Sequence, residues 1–175
     1  MDLYVDWVTA RPLFSAAVQF AVLGTLGELL SFWITRKKFR IPCNPLQLAS
    51  KVLAWALLGL IIKYGFAGMK GFTRALLEHE MLPAFMAAGL GWAFALSCLT
   101  NIFFGPQMML FHRLEDNLIM LEWNFTGLKK AWWTLLWFWI PAHTLTFLLP
   151  KEYQIGLAAV WSLVLGLILG LTARK

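Results

Sequence analysis

The chain has 175 residues, 60% hydrophobic and 14% charged, with a formal net charge of +6. Soluble domains carry about a quarter charged residues, so this composition excludes an ordinary soluble enzyme or binding domain and points to a bilayer as solvent. The basic residues lie beside apolar stretches, which is the pattern of membrane topology and anionic lipid and excludes a nucleic-acid groove as partner.

The expected fold is all-α, a multi-pass transmembrane helical bundle with about five spans and one amphipathic interfacial helix. It forms a single integral membrane domain over 1–175. Each apolar segment approaches the ~20 residues a bilayer core needs. Each must be helical, because hydrocarbon offers no partner to a free N–H or C=O. The opening "MDLYVDWVTARPLF" has early acids and one arginine, unlike a cleavable signal or transit peptide, so the first span is expected to be retained.

The spans are read at about 13–35, 49–72, 82–104, 129–149 and 153–173. Between the third and fourth, Gly105-Pro106 stops one helix and starts another. Met108, Phe111, Leu114, Leu118, Leu121 and Phe125 then recur at three and four residues over about 107–125. This is an amphipathic helix, either lying in the interface among membrane lipids or packed under the bundle. His112, Arg113 and Asp116 on it are candidates for gripping a lipid headgroup, or form a solvated face.

With five spans, Arg36, Lys37, Lys38, Arg40, Arg113, Lys129, Lys130, Arg174 and Lys175 share one side, against Arg11, Lys70, Arg74 and Lys151 on the other. The richer side faces inward. The N-terminus is therefore expected outside and the C-terminus inside a bacterial cytoplasmic membrane or an organelle membrane. Lys51 and Lys63 fall within the second span and are left out of this tally.

Glu28 is the sharpest single residue. A carboxylate inside a span costs several kcal/mol unless paired, neutralised or hydrated. It lines a wet pathway or serves as a bonded structural group. Lys63 lies about 10 Å away in height at 1.5 Å per residue and snorkels more readily to the opposite face beside Lys70. Arg36, Lys37 and Lys38 are nearer partners for Glu28. Gly24, Gly27, Gly65, Gly68 and Gly71 suit close helix packing. So does the Gly166/Gly170 pair, which could alternatively join two copies in a homo-oligomer.

Cys43 and Cys98 are isolated and read as unpaired. His79, His112 and His143 have no metal-ligand spacing, and no nucleophile or nucleotide motif is present. No catalytic residue, metal or cofactor is assigned, and the chain is not expected to be an enzyme. Asn124-Phe125-Thr126 is a glycosylation triplet that the expected topology leaves idle.

The stretch "WFWIPAHTLTFLLP", 137–150, places polar and helix-breaking residues inside a span. Pro141 leaves the carbonyl of Trp137 without a helical partner and predicts a kink. Thr144 or Thr146 can bond back to a carbonyl. Trp139, His143, Thr146 and Pro150 form one stripe at spacings of four, three and four. Glu28, Trp139, Pro141, His143, Thr144 and Thr146 are therefore the candidates for lining a pore or polar interior.

Trp139-x-Pro141-x-His143-x-x-Thr146-Phe147, followed by Pro150, resembles the C-terminal signature of the Mpv-seventeen and twenty-two-kilodalton peroxisomal membrane protein family. That signature runs Trp-Pro-Pro-x-Gln-x-x-Asn-Phe before a second proline. Trp161 resembles a tryptophan on the family's last span. Pro12 precedes Gly27-Glu28 by the spacing at which the family's proline precedes a Gly-Asp pair. The family's central Gly-Pro-x-x-His-x-Trp-Tyr motif is absent, so the resemblance covers about the first 25 and last 50 residues. It implies a small multi-span protein of an organelle membrane, some relatives of which behave as pores for small solutes. The leading functional expectation is a channel or facilitator for small solutes or ions. The alternative is a non-transporting membrane scaffold or subunit of a membrane complex.

Overall fold

The structure, a computed structural model, describes residues 2–172, with side-chain surroundings up to residue 168. Arg174, Lys175 and the surroundings of Gly170 lie outside the described residues. Among the described residues every regular element is helical. Helix α1, Leu3–Ala10, is capped by the Asp2 carboxylate, which accepts from Tyr4 N at 3.1 Å. Helix α2, Pro12–Arg36, starts on a proline whose missing N–H costs nothing in a first turn. Helix α3, Pro45–Glu78, opens with a capping box. Asn44 Oδ1 accepts from Gln47 N at 2.8 Å, and Gln47 Oε1 accepts from Asn44 N at 3.1 Å.

Helices α2 and α3 are each long and apolar enough to cross a membrane. They run antiparallel, since Ala16 meets Gly59 and Glu28 meets Lys51. At 1.5 Å per residue α3 is about 51 Å long, well beyond a ~30 Å hydrocarbon core. As a membrane span it would lie tilted or project from the bilayer.

The third segment differs from the sequence expectation. Helix α4 begins at Gly89, not near residue 82, and ends at Phe103. Pro83 and Gly89 (φ +57°) divert the chain, and Ala84–Ala87 form a short 3-10 turn instead. Helix α5, Gly105–Met120, follows after one residue at a bend of 47°. Pro106 in its first turn supplies no N–H to continue α4. Helices α4 and α5 together meet the length and apolarity of a third crossing.

The interfacial helix expected at 107–125 is thereby corrected. It ends at Met120, where Leu121 takes a left-handed conformation (φ 55°), and it runs antiparallel along the first half of α3. His112 packs on Trp55, Asp116 on Lys51, and Gln47 Nε2 donates to Ile119 O at 3.4 Å. Its apolar residues Phe111, Leu114 and Leu118 are exposed, while its polar residues turn inward. That is the reverse of a soluble surface helix.

The segment expected as one helix over 129–149 is broken. Helix α6, Leu128–Thr134, passes through a π turn, Leu135–Trp139, into α7, Ile140–Leu148. The wider turn sits directly before Pro141, where an ordinary helix would leave the Trp137 carbonyl unpaired. Thr144 and Thr146 both bond back, to Ile140 O at 2.7 Å and Ala142 O at 2.9 Å. Helix α8, Lys151–Thr172, follows after Leu149-Pro150.

Helix α2 is the central element, held between α3 and α8. Two glycine contacts set the spacing. A Cβ on Gly59 would lie 2.5 Å from Ala16 O, and one on Gly166 would lie 2.8 Å from Gly27 O. Gly166 therefore spends its close approach within the chain. Ala16, Phe20, Phe66, Ala93, Leu96, Phe147 and Ile155 form the main buried cluster. At one end Tyr4 Oη donates to Gln19 Oε1 at 2.9 Å, and Lys70 Nζ to Gln154 Oε1 at 2.5 Å. At the other lie the end of α2, the start of α3 and the end of α5.

Gly59→Ala should push α2 from α3 and destabilise the protein by about 1–3 kcal/mol, the usual cost of overpacking. Gly68, where an added methyl would meet nothing within 4 Å, should gain about 0.5–1 kcal/mol on substitution by Ala. Thermal unfolding in mild detergent should show opposite shifts for the two variants.

Candidate functional site

Bringing α2, α3 and α5 together gathers five ionisable side chains. Glu28 lies about 12 Å along α2 from its C-terminal residue, and Lys51 about 9 Å along α3 from its first. The antiparallel hairpin thus sets them at one height. Lys51 Nζ donates to Glu28 Oε2 at 2.9 Å and also pairs closely with Asp116 of α5. Trp55, one turn beyond Lys51, donates its Nε1–H to Glu28 Oε1 at 2.9 Å. The His112 ring lies 4.6 Å from the Trp55 ring, with Nε2 3.7 Å from Glu28 Oε1. Arg113 Nη1 stands 3.8 Å from Asp116 Oδ2.

Lys51 is the hub. Its side chain is only 12% exposed, against 28–29% for the two carboxylates. An ammonium buried to this degree needs compensation of several kcal/mol, and two carboxylates from two other helices provide it. Two acids, Lys51 and Arg113 are balanced in formal charge, so the cluster carries no large net field. Among the described residues no three His, Cys, Asp or Glu side chains are grouped to hold a metal ion.

The cluster borders a cavity of about 830 Å³. Along α2 its wall runs from Phe20 to Arg36, about 24 Å at 1.5 Å per residue. Pro42, Cys43, Glu122 and Asn124 line it toward the loop end, and Phe66, Asn101, Trp139 and His143 line it further in. Burial raises the Cys43 thiol above its ordinary range, with Lys51 opposing and Glu28 and Asp116 adding to the rise. This volume lies in the range of small-molecule pockets, and its mostly apolar wall with a few convergent polar groups is their usual make-up.

The sequence-derived candidates divide. Glu28, Trp139 and His143 all line this cavity, as do His112, Arg113 and Asp116. His112 stands against Glu28, Asp116 pairs with Lys51, and Arg113 stands beside Asp116. Pro141 is exposed on the outer side of α7. Thr144 and Thr146 are buried against backbone carbonyls and stand outside the cavity lining, and Pro150 is exposed at the end of the stripe. Thr146 Oγ1 also accepts from Trp161 Nε1 at 3.2 Å, tying α7 to α8. Asn124 of the glycosylation triplet forms an Asx turn, accepting from Thr126 N at 2.8 Å.

No family model, curated protein or solved structure matches the chain.

Lys51, Trp55 and Asn101 are the site residues that sequence reasoning misses. Lys63 instead lies toward the opposite end, nearer the charges of Glu152 and Lys151. The height test that separates Lys63 from Glu28 would select Lys51 if applied to it. Trp55, four residues later, then follows on the same helix face. Asn101 is marked in the sequence only as an uncharged amide within an apolar run.

Lys51→Met leaves two carboxylates without their shared cation. It should cost about 2 kcal/mol, below the 3–5 kcal/mol of a fully buried pair because the mouth is partly wet. Adding Glu28→Gln and Asp116→Asn should restore most of the loss. Lys63→Met should change stability by less than about 0.5 kcal/mol. Equal melting shifts for Lys51→Met and Lys63→Met would count against Lys51 as the hub.

Proposed function

We propose that the chain crosses a membrane five times and acts as a passive facilitator for small solutes, as a distant relative of the Mpv-seventeen and twenty-two-kilodalton peroxisomal membrane protein family. The crossings are α2, α3, the bent pair α4–α5, the broken helix from α6 to α7, and α8. Contacts at the two ends support this path. Residues from α1, the end of α3 and the start of α8 meet at one end, and the end of α2, the start of α3 and the end of α5 at the other. The second end carries Arg36, Lys37, Lys38 and Arg40 and faces the cytoplasm or matrix by the positive-inside rule.

The broad apolar exterior supports lipid as the surroundings. Phe14, Val22, Leu53, Leu57, Phe94 and Leu145 are all exposed. The kinship rests on residues that now have physical work. Gly27 admits α8, Glu28 receives Lys51 and Trp55, and Trp161 donates to Thr146.

The cavity carries the functional reading. It extends about 24 Å along α2, a large part of a ~30 Å bilayer core. Phe20 and Phe66 line its inner part, and Phe66 packs edge-on to the buried Phe147 with ring centres 4.8 Å apart. Displacement of this aromatic layer would open a path toward the Tyr4–Gln19 end.

Purified protein in sealed liposomes should speed the entry of small solutes such as glycerol, or raise potassium conductance, above that of protein-free vesicles. Phe66→Ala should increase the rate severalfold by thinning the aromatic layer. Vesicles as tight as protein-free ones, for both wild type and Phe66→Ala, would end the facilitator reading.

A further inference from the structure

Behind the charged mouth the cavity wall changes character. The amide of Asn101 is oriented by a backbone carbonyl: Ser97 O, which can only accept, lies 2.8 Å from Asn101 Nδ2. Ser97 Oγ, itself a donor to Ile140 O, lies 3.4 Å from the same nitrogen. The amide N–H groups therefore point to these acceptors and to His143 Nδ1 at 3.1 Å. His143 Nδ1 is then the acceptor, and the neutral ring carries its proton on Nε2.

Asn101 thus has its donors engaged while Oδ1 has no partner. Its side chain is 3% exposed. Trp139, 9% exposed, has a buried Nε1–H that is also unpartnered, and its ring lies 5.0 Å from that of His143. Thr100, next to Asn101 and 1% exposed, has an unpartnered hydroxyl as well. All four residues line the same cavity. Buried polar groups are nearly always bonded, and an orphan is costly to leave unpaired. Asn101 and Trp139, both beside the neutral His143 ring, suit a neutral polar group and oppose a bare ion.

We propose that this inner part of the cavity is a binding subsite for an uncharged hydrogen-bonding group, an amide or hydroxyl on an apolar body, which donates to Asn101 Oδ1 and accepts from Trp139 Nε1. The proposal rests on the cavity being a solute-binding space and names the class of solute it takes. Uncharged amphiphiles with both a donor and an acceptor enter past the Glu28–Lys51–Asp116 cluster. Carboxylates of the same size do not settle, because their charge would lose water without gaining a cation there.

The test is equilibrium binding of hexanamide to the full chain in nanodiscs, with uptake by protein-free nanodiscs subtracted. Hexanamide should bind saturably. N,N-dimethylhexanamide, which keeps the acceptor but has no donor, should bind about fivefold to tenfold more weakly, the loss of one hydrogen bond. Hexanoate should show no saturable binding. Trp139→Phe should weaken hexanamide by a similar factor, and Asn101→Leu should abolish the preference for hexanamide over its dimethyl form. Equal binding of the two amides, no saturable hexanamide binding, or hexanamide binding unchanged in Trp139→Phe would each overturn the subsite. Selective binding with tight vesicles would defeat facilitation alone. Solute flux without amide selectivity would defeat the subsite alone.

Discussion

The shared ammonium of Lys51 is the constraint around which the rest of the bundle is arranged. A chain this apolar has little water inside with which to stabilise a carboxylate. Glu28 on α2 and Asp116 on α5 therefore need a cation from the protein, and Lys51 on α3 reaches both. Three helices that are distant in sequence are tied at one height, and the space left among them is the mouth of the cavity. The arrangement fixes register as well as proximity. Sliding α3 by one turn relative to α2 would move Lys51 about 5.4 Å from Glu28 and leave both charges exposed to a poor solvent.

Glycines provide the complementary constraint. In the proposed lipid surroundings hydrophobic association between helices is weak, so small residues and close backbone approach do more of the packing. Gly59 brings α3 onto Ala16 and Phe20, while Gly27 and Gly166 bring α8 onto α2. These contacts seal one part of the molecule tightly. The bend between α4 and α5 and the π turn before Pro141 leave the adjoining part open. An enclosed apolar cluster and a cavity can thus coexist in one small bundle.

The helices were legible where apolarity is uniform and caps are strong. Pro12–Arg36 matches the expected 13–35 within one residue at each end. In α3 the Asn44-Pro45 start carries a clear signal, and the structure extends beyond the hydropathy window because helix propensity does not stop where a bilayer does. Breaks were harder to read. A run such as 82–104 looks continuous by hydropathy, yet Pro83 and Gly89 interrupt it. The period of α5 correctly marks a two-faced helix but does not say which face meets protein. Glu28 stood out because its cost is local. Its partner did not, because pairing depends on a register between two helices that only their packing supplies. Thr144 and Thr146 fulfil the back-bonding their type suggests and thereby leave the list of cavity groups.

The most direct measurement is an experimental structure of the protein in lipid nanodiscs. The account predicts Lys51 Nζ between the Glu28 and Asp116 carboxylates, Trp55 Nε1 on Glu28, and the cavity continuing behind them to Asn101 and Trp139. A Lys51 side chain directed to lipid headgroups, with Glu28 facing acyl chains and no space between α2, α3 and α5, would contradict it.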